Sequence, residues 1–191
     1  MPDAMTACYY LSPRFVAVAG DTAPVIDPAT LEQVGLRAIV SPDEAQAVLA
    51  QVNAAQKAWA ATDAKTRAKH LHDLANRIEA MDMTRCATLM SREMGKPYPE
   101  AIGEVANCSP VFRYYAEMAR DEAGKVAGTT QAGSLQYARY EPYGVSAHIM
   151  PFNFPILLMC WTVAASLAAG NCCVVKPAEA TTLSTLEFMQ V

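Results

Sequence analysis

The chain has 191 residues, of which 52% are hydrophobic, and it carries a formal net charge of −4 with a pI near 5.4. That length is enough to bury one hydrophobic core, and the lack of a basic cluster excludes nucleic acid and anionic membrane surfaces as expected partners. Because no cationic stretch precedes an apolar one at the start of the chain, a secretory signal is not predicted.

The first forty residues predict only short elements. Residues 1–13 show no usable periodicity, and we expect them to be disordered. Beyond them, glycines and the Asp27-Pro28 pair separate three short β-prone runs, which lie at residues 15–18, 24–26 and 36–40. Such runs predict small antiparallel strands.

Four helices are predicted between residues 41 and 123. Ser41 and Glu44 form a capping box around Pro42, which suits the first position of a helix. The apolar periodicity continues in a second helix from near Thr62, a third over Thr84–Met94 that ends at Gly95, and a fourth over residues 100–123. Because an interior proline costs about 3 kcal/mol, Pro110 predicts a bend in the fourth helix. Residues 14–124 are therefore expected to form small strands and helices.

Residues 125–143 predict a β-hairpin. Two extended runs flank Ala132-Gly133-Ser134, and the second of them covers residues 135–140. An isolated hairpin is only marginally stable in water and needs a partner. The residues alone leave two alternatives open, since the hairpin can pair with another subunit or fold back on its own domain.

Residues 144–191 predict a parallel βαβ unit and the start of another helix. A strand over residues 145–150 is followed by Pro155 at the first position of a helix, and Gly170 provides the left-handed end of that helix. A second strand begins at Cys172, and a further helix begins at Thr182. Short connections of this kind require parallel strands, so the predicted fold class is α/β.

Three polar residues follow the predicted strands of this unit. Ligands of such units bind beyond the carboxyl ends of the strands, where Asn153, Lys176 and Glu179 are expected. The amide of Asn153 can donate to an oxyanion, but an asparagine before a helix is also a preferred cap, and the residues alone favour the cap. A lysine at the end of a strand is more often solvated than bound to a ligand.

Several motifs in this sequence resemble those of the aldehyde dehydrogenase superfamily. They occur in the order of that superfamily from about Val25 onward: Ile26-Asp27-Pro28-Ala29-Thr30, Glu93-Met94-Gly95-Lys96-Pro97, Phe112-Arg113-Tyr114-Tyr115-Ala116, Pro151-Phe152-Asn153-Phe154-Pro155, Ala168-Ala169-Gly170-Asn171 and Lys176-Pro177-Ala178-Glu179. The resemblance implies the N-terminal part of a Rossmann-type cofactor domain with an inserted hairpin that serves as an oligomerisation arm. It also implies that residues 144–191 form a truncated first βαβ unit.

The resemblance implies NAD-dependent oxidation of an aldehyde to a carboxylic acid, with Asn153 stabilising the oxyanion. Residues Lys176, Ala178 and Glu179 would bind the cofactor on its adenosine side, and Met150, Pro151 and Phe152 would form walls on the nicotinamide side. A carboxylate at Glu179 repels a 2′-phosphate, which favours NAD over NADP. The nucleophilic cysteine and the general-base glutamate come later in the family's sequences, so this chain alone is expected to be an inactive fragment or truncated product.

Two other classes of function remain open; a co-purified partner would support the first of them, and the sequence that this chain lacks would distinguish the second. One is a non-catalytic binding or oligomerisation module, and the other is a branch of the superfamily that reduces activated acyl groups. In the full-length protein, the resemblance implies a homo-oligomer that acts on a small aldehyde.

The remaining candidate groups predict no further site. Six cysteines without a C-x-x-C pair indicate free thiols in the reducing cytoplasm, and no metal site is predicted. His148, in an apolar strand, is expected to be a core residue. The uncharged stretch around the predicted helix after Pro155 is shorter than the ~20 residues that span a bilayer, so no membrane segment is predicted.

Overall fold

The computed structural model describes residues 8–11, 14–17, 20–121, 124–128 and 131–191. Its strands are β1 (Cys8–Leu11), β2 (Arg14–Ala17), β3 (Thr22–Ile26), β4 (Gln33–Ala38), β5 (Gly124–Val126), β6 (Tyr137–Arg139), β7 (Val145–Ile149) and β8 (Cys172–Lys176). Its α-helices are α1 (Pro42–Ala60), α2 (Ala64–Ala80), α3 (Thr84–Met94), α4 (Tyr98–Ala106), α5 (Cys108–Met118), α6 (Pro155–Ala168) and α7 (Thr182–Phe188). A short 3₁₀ turn, Glu179–Thr181, precedes α7. The α/β class is confirmed.

Strand pairing follows the order of the chain. In the part of the chain that the structure describes, β1 pairs with β2, β3 with β4, and β5 with β6, each antiparallel. The remaining pair, β7 and β8, is parallel and is joined by α6. The predicted βαβ unit and the predicted hairpin are therefore both present.

The main hydrophobic core lies between the helices. Its buried side chains come from α2, α3, α4, α5 and α6, with Phe188 at the end of α7. Ile156, Met159, Cys160 and Ala164 of α6 are all buried in it. Because α6 contains no charged residue, its stability depends on this packing, and truncating Ile156 to alanine is expected to cost about 2–5 kcal/mol.

The helix ends predicted from local capping residues are present in the structure. The backbone N–H of Ser41 donates to Glu44 Oε2 at 2.8 Å, and the N–H of Glu44 donates back to Ser41 Oγ at 3.2 Å. Helix α3 has the predicted bounds and ends at Gly95, whose φ is 77°. Gly170, with a φ of 89°, likewise follows the end of α6. A side chain at either glycine would be strained in this left-handed conformation.

The fourth predicted helix is two helices. Helices α4 and α5 meet at Asn107, so the predicted bend at Pro110 is wrong in position. Pro110 is the third residue of α5 and lies in its first turn, where a backbone N–H has no intrahelical partner and a proline is tolerated. The last two residues of the predicted helix, 122–123, lie outside the described residues.

The N-terminal segment also differs from its prediction. Cys8–Leu11, for which disorder was expected, forms β1 and pairs in register with β2. Hydrogen bonds with β2 stabilise this segment as a strand, although its own sequence shows no periodicity that predicts one. The rest of residues 1–13 lies outside the described residues. In the ranges that the structure describes, no helix combines the length and the apolar character needed to cross a bilayer.

Candidate functional site

The candidate site lies where β7 and β8 end. Ile149 pairs with Lys176 at the last position of the parallel register, and the N–H of Met150 donates to the carbonyl of Lys176 at 3.0 Å. The turn from Pro151 to Phe154 then leads directly into α6. The structure therefore brings the predicted nicotinamide-side residues and Lys176 to one edge of the sheet.

Asn153 is exposed in this turn and does not cap α6. The N-cap of α6 is Phe154, and no side chain of its own turn caps the helix. Within the described residues, the Asn153 side chain has no hydrogen-bond partner. The cap alternative from the sequence is therefore wrong. An exposed amide without a protein partner is a donor that a ligand can use.

The side chain that caps the start of α6 comes from another helix: it is the carboxylate of Glu104 on α4. One carboxylate oxygen, Oε1, accepts from the N–H groups of Ile156 at 3.0 Å and Leu157 at 3.1 Å. Pro155 has no N–H, so these are the first two donors of the helix. A negative charge at this position also complements the helix dipole. Sequence analysis missed this residue.

Lys96 completes the contacts around the turn. Its ammonium pairs with Glu104 Oε2, donates to the carbonyl oxygen of Asn153 at 2.7 Å and lies 3.8 Å from the centroid of the Phe154 ring. The two charged side chains are almost fully buried, with 5% of the Lys96 side chain and 0% of the Glu104 side chain exposed. Their charges are compensated by each other and by hydrogen bonds, as buried charges require.

The other end of α6 is held from the N-terminal helices. Arg67 Nε donates to the carbonyl of Ala168 at 2.9 Å, and Trp59 Nε1 donates to that of Leu167 at 3.1 Å. A cation at the C-terminal end of a helix again matches the dipole. Helix α6 thus receives an acidic side chain at its start and a basic one at its end, both from outside the βαβ unit.

Of the three predicted adenosine-side residues, Lys176 is the last residue of β8, and Ala178 and Glu179 follow it in sequence. Lys176 is exposed, and its ammonium donates to the carbonyl of Pro177 at 3.3 Å. Ala178 is half-buried, and its carbonyl accepts from the Thr182 hydroxyl at 3.0 Å. Glu179 opens the 3₁₀ turn, with 69% of its side chain exposed. The end of β8 therefore presents two exposed charged side chains, those of Lys176 and Glu179.

Arg37, on β4, pairs with Glu179 and was not identified from the sequence. Its Nη2 lies 3.3 Å from Glu179 Oε2. The guanidinium therefore offsets part of the negative charge on which the sequence argument for NAD over NADP depends. An exposed pair of this kind contributes little to stability, so its consequence is expected in ligand binding.

A second buried carboxylate, Glu93 of α3, caps α7. Its two oxygens accept from the N–H groups of Leu183 and Ser184, each at 2.7 Å. Burial raises the pKa of Glu93 to about 7, although the hydrogen bonds from Ser184 and Leu183 act in the opposite direction. Glu93 therefore exchanges its proton close to neutral pH.

The described thiols and the one histidine in the βαβ unit supply no alternative site. Cys86, Cys108, Cys160, Cys172 and Cys173 are free thiols. Burial raises the pKa of Cys86, and a hydrogen bond with Cys160 together with burial raises that of Cys108. Their thiolates are therefore disfavoured. Over the described ranges, no three histidine, cysteine or acidic side chains cluster as metal ligands do.

His148 is half-buried rather than a fully buried core residue. Its Nε2 lies 2.8 Å from the hydroxyl of Ser146, two residues earlier on β7, and burial lowers its pKa. The Ser146 hydroxyl also contacts that of Ser166 on α6 at 2.6 Å. The contact between Ser146 and Ser166 joins β7 to α6.

Comparisons with known proteins extend the resemblance over most of the chain. The family model described as the aldehyde dehydrogenase family matches residues 15–191. Acetaldehyde dehydrogenase 2 of Cupriavidus necator is 39% identical over 149 residues, which are 78% of this chain and 29% of that protein. Aldehyde dehydrogenase 1A1 of Oryctolagus cuniculus is 37% identical over 180 residues, with 35% of its length covered. The chain therefore spans about a third of these relatives.

Solved structures agree with the sequence comparison. PnpE in complex with nicotinamide adenine dinucleotide superposes with a TM-score of 0.89 at 36% identity, covering 97% of this chain and 38% of that one. The 3,6-anhydro-L-galactose dehydrogenase in complex with NADP gives a TM-score of 0.88 at 32% identity, covering 96% and 38%. Similar folds are thus found with either cofactor.

Proposed function

The chain belongs to the aldehyde dehydrogenase family, and we propose that it is the N-terminal part of an enzyme that oxidises an aldehyde to a carboxylic acid with NAD. The observation that carries this proposal is the free amide of Asn153, held on a fixed turn at the carboxyl edge of β7 and β8. Edges of this kind are where α/β sheets bind their ligands. The relatives supply the reaction class.

The contribution of this chain to the reaction is electrostatic. When a nucleophile adds to the aldehyde carbonyl, negative charge develops on the carbonyl oxygen, and the Asn153 amide is available to donate a hydrogen bond to it. The resemblance implies a cysteine nucleophile from the sequence that follows residue 191 in the family. Burial raises the pKa values of Cys86, Cys172 and Cys173, a hydrogen bond with Cys160 together with burial raises the pKa of Cys108, and Cys160 lies in the core, so these five thiols are unsuited to that task.

The residues at the end of β8 fit the adenosine side of a nicotinamide cofactor. The exposed ammonium of Lys176 has one weak backbone acceptor, and the exposed carboxylate of Glu179 accepts hydroxyl hydrogens well. We assign Lys176, Ala178 and Glu179 to this side, and Met150, Pro151 and Phe152 to the nicotinamide side. When bound, the cofactor accepts the hydride that leaves the substrate carbon. We propose a preference for NAD because a carboxylate at Glu179 would repel a 2′-phosphate.

One feature supports a homo-oligomer, and another supports a cytoplasmic location. The β5–β6 hairpin exposes apolar side chains, with 77% of Val126 and 68% of Tyr137 accessible, and so presents a surface that a second copy can cover. Five cysteines (Cys86, Cys108, Cys160, Cys172 and Cys173) are unpaired thiols, as is usual in a reducing compartment. Both assignments belong to the proposal for the whole protein.

The test is the rate of NADH formation at 340 nm by the full-length protein that carries this chain, with aliphatic and aromatic aldehydes. Replacing Asn153 with alanine should lower kcat by about 10²–10³-fold and leave NAD binding nearly unchanged. The matched control is Asn53→Ala, at an exposed position on α1, which should leave turnover intact. Oligomerisation without turnover would instead favour a non-catalytic module.

A further inference from the structure

The turn that carries Asn153 is held by two buried charges that come from outside the βαβ unit. Lys96 lies just after α3, and Glu104 is on α4. Together they contact four of the five residues from Asn153 to Leu157, because Lys96 binds the Asn153 carbonyl and the Phe154 ring while Glu104 binds the N–H groups of Ile156 and Leu157. Pro155 itself needs no donor contact, since it has no N–H.

Stability alone is a weak explanation for this arrangement. Taking a lysine and a glutamate out of water costs much of what their mutual attraction returns, so a buried pair often contributes little net stability compared with apolar side chains. What such a pair does supply is geometry, because a misplaced partner would leave a buried charge uncompensated. The pair therefore fixes the position of whatever it contacts.

The contacts converge on the residue proposed to act on substrate. Lys96 binds the main-chain oxygen of Asn153, while the Asn153 side chain stays exposed and has no partner within the described residues. Fixing the main chain of a residue fixes the origin from which its side chain projects. Displacements of about 1 Å in such groups can cost about 10²-fold in rate.

We propose that Lys96 and Glu104 are positioning residues that hold the Asn153 amide where the oxyanion develops. This inference rests on the function proposed above and extends it, since neither side chain touches substrate. It also gives a role to the Glu93-Met94-Gly95-Lys96-Pro97 motif. The two charged residues of that motif contact different helices: Glu93 caps α7, and Lys96 binds the turn that precedes α6.

The experiment separates geometry from stability in the full-length protein. Lys96→Met and Glu104→Gln each leave one buried charge without its partner and should lower the melting temperature. The double variant Lys96→Met/Glu104→Gln removes both charges and should regain most of the melting temperature. If the pair positions Asn153, kcat of the double variant should stay about 10²-fold below that of the parent, with a smaller change in KM.

A double-mutant cycle tests whether the effect passes through Asn153. Adding Asn153→Ala to the charge-free double variant should reduce kcat by less than about threefold, whereas it costs far more in the parent. A fully multiplicative loss, or a double variant with parental kcat, would overturn the proposal. The matched control, Lys69→Met/Asp73→Asn, removes an exposed 2.8 Å pair on α2 and should leave kcat and the cycle unchanged.

Two further measurements apply if the double variant does not fold or the parent shows no turnover. Phe154→Leu removes the ring beneath Lys96 without unbalancing the charges, and should lower kcat about two- to fivefold. Hydrogen exchange needs no substrate: the amides of Ile156 and Leu157 should exchange at least about tenfold faster in Glu104→Gln. An inactive parent overturns the proposed function, whereas unchanged exchange in Glu104→Gln overturns the proposal that Glu104 and Lys96 hold the turn.

Discussion

Two buried glutamates cap two helices of this protein, and they differ in one respect. Glu104 accepts from the first N–H groups of α6 and is paired with Lys96. Glu93 accepts from two N–H groups of α7, but no cation pairs with it in the described part of the chain. The difference shows what a partner charge adds. Glu93 can be neutralised by a proton, whereas the position of Glu104 is tied to that of Lys96 and to the turn carrying Asn153.

The largest effect is expected when the paired cap loses its cation. In Lys96→Met the carboxylate of Glu104 stays buried without its partner, and the free energy of unfolding should fall by about 3–5 kcal/mol. Chemical denaturation at pH 7.5 measures this loss. If the cost is below about 1 kcal/mol, the two caps do not differ in the way that the contacts suggest.

The unpaired cap should make stability depend on pH. The pKa of Glu93 is raised from 4.5 to about 7 in the folded protein, so the folded state binds more protons than the unfolded state between those values. Its contribution to stability is therefore complete below about pH 4.5 and is lost as the pH rises through about 7. The loss should amount to about 3 kcal/mol, because one pKa unit corresponds to about 1.36 kcal/mol.

The variant Glu93→Gln isolates this contribution. Other carboxylates act in the opposite sense, since hydrogen bonds lower the pKa values of groups such as Glu44 and Asp63. The difference in unfolding free energy between parent and variant should therefore change between pH 4.5 and 7.5 and be constant above that range. A flat difference curve would mean that folding does not raise the pKa of Glu93.

Much of the fold could be predicted because its signals are local. The capping box at Ser41, the left-handed Gly95 and Gly170, and Pro155 at the start of α6 each act within a few residues of the helix end that they form. Pro110 shows the limit of such rules. A proline in the first turn of a helix is tolerated and one in the interior is not, and only the position of the break at Asn107 distinguishes the two.

The surroundings of the site could not be predicted because they join distant parts of the chain. Glu104 is 52 residues from Ile156, Lys96 is 57 from Asn153, and Arg37 is 142 from Glu179. No periodicity or spacing links residues at such separations. The motifs located the candidate ligand-facing residues, while the residues that hold or modify them became visible only after the helices packed.

Cofactor choice should respond moderately to the region that follows β8. Glu179→Gln keeps a hydrogen-bonding group but removes the charge that we propose repels a 2′-phosphate, and it takes the carboxylate partner away from Arg37, whose guanidinium can then bind a 2′-phosphate. The ratio of kcat/KM for NADP to that for NAD should rise about five- to tenfold in the full-length protein. The complementary variant Arg37→Gln removes the positive charge of the pair and should lower the ratio of kcat/KM for NADP to that for NAD. Equal ratios in all three proteins would remove Glu179 from the cofactor site.

The smallest expected effect is that of Asn153→Ala on stability, since Asn153, which the residues alone but not the family resemblance favoured as the cap of α6, does not cap that helix. Its side chain is exposed and makes no hydrogen bond within the described residues, while Glu104 supplies the cap. Asn153→Ala should therefore change the free energy of unfolding by less than about 0.5 kcal/mol, as exposed substitutions usually do. A true cap would cost about 1 kcal/mol. Thermal melts of Asn153→Ala beside the parent decide between the two, because a loss near 1 kcal/mol would mean that Asn153 caps the helix.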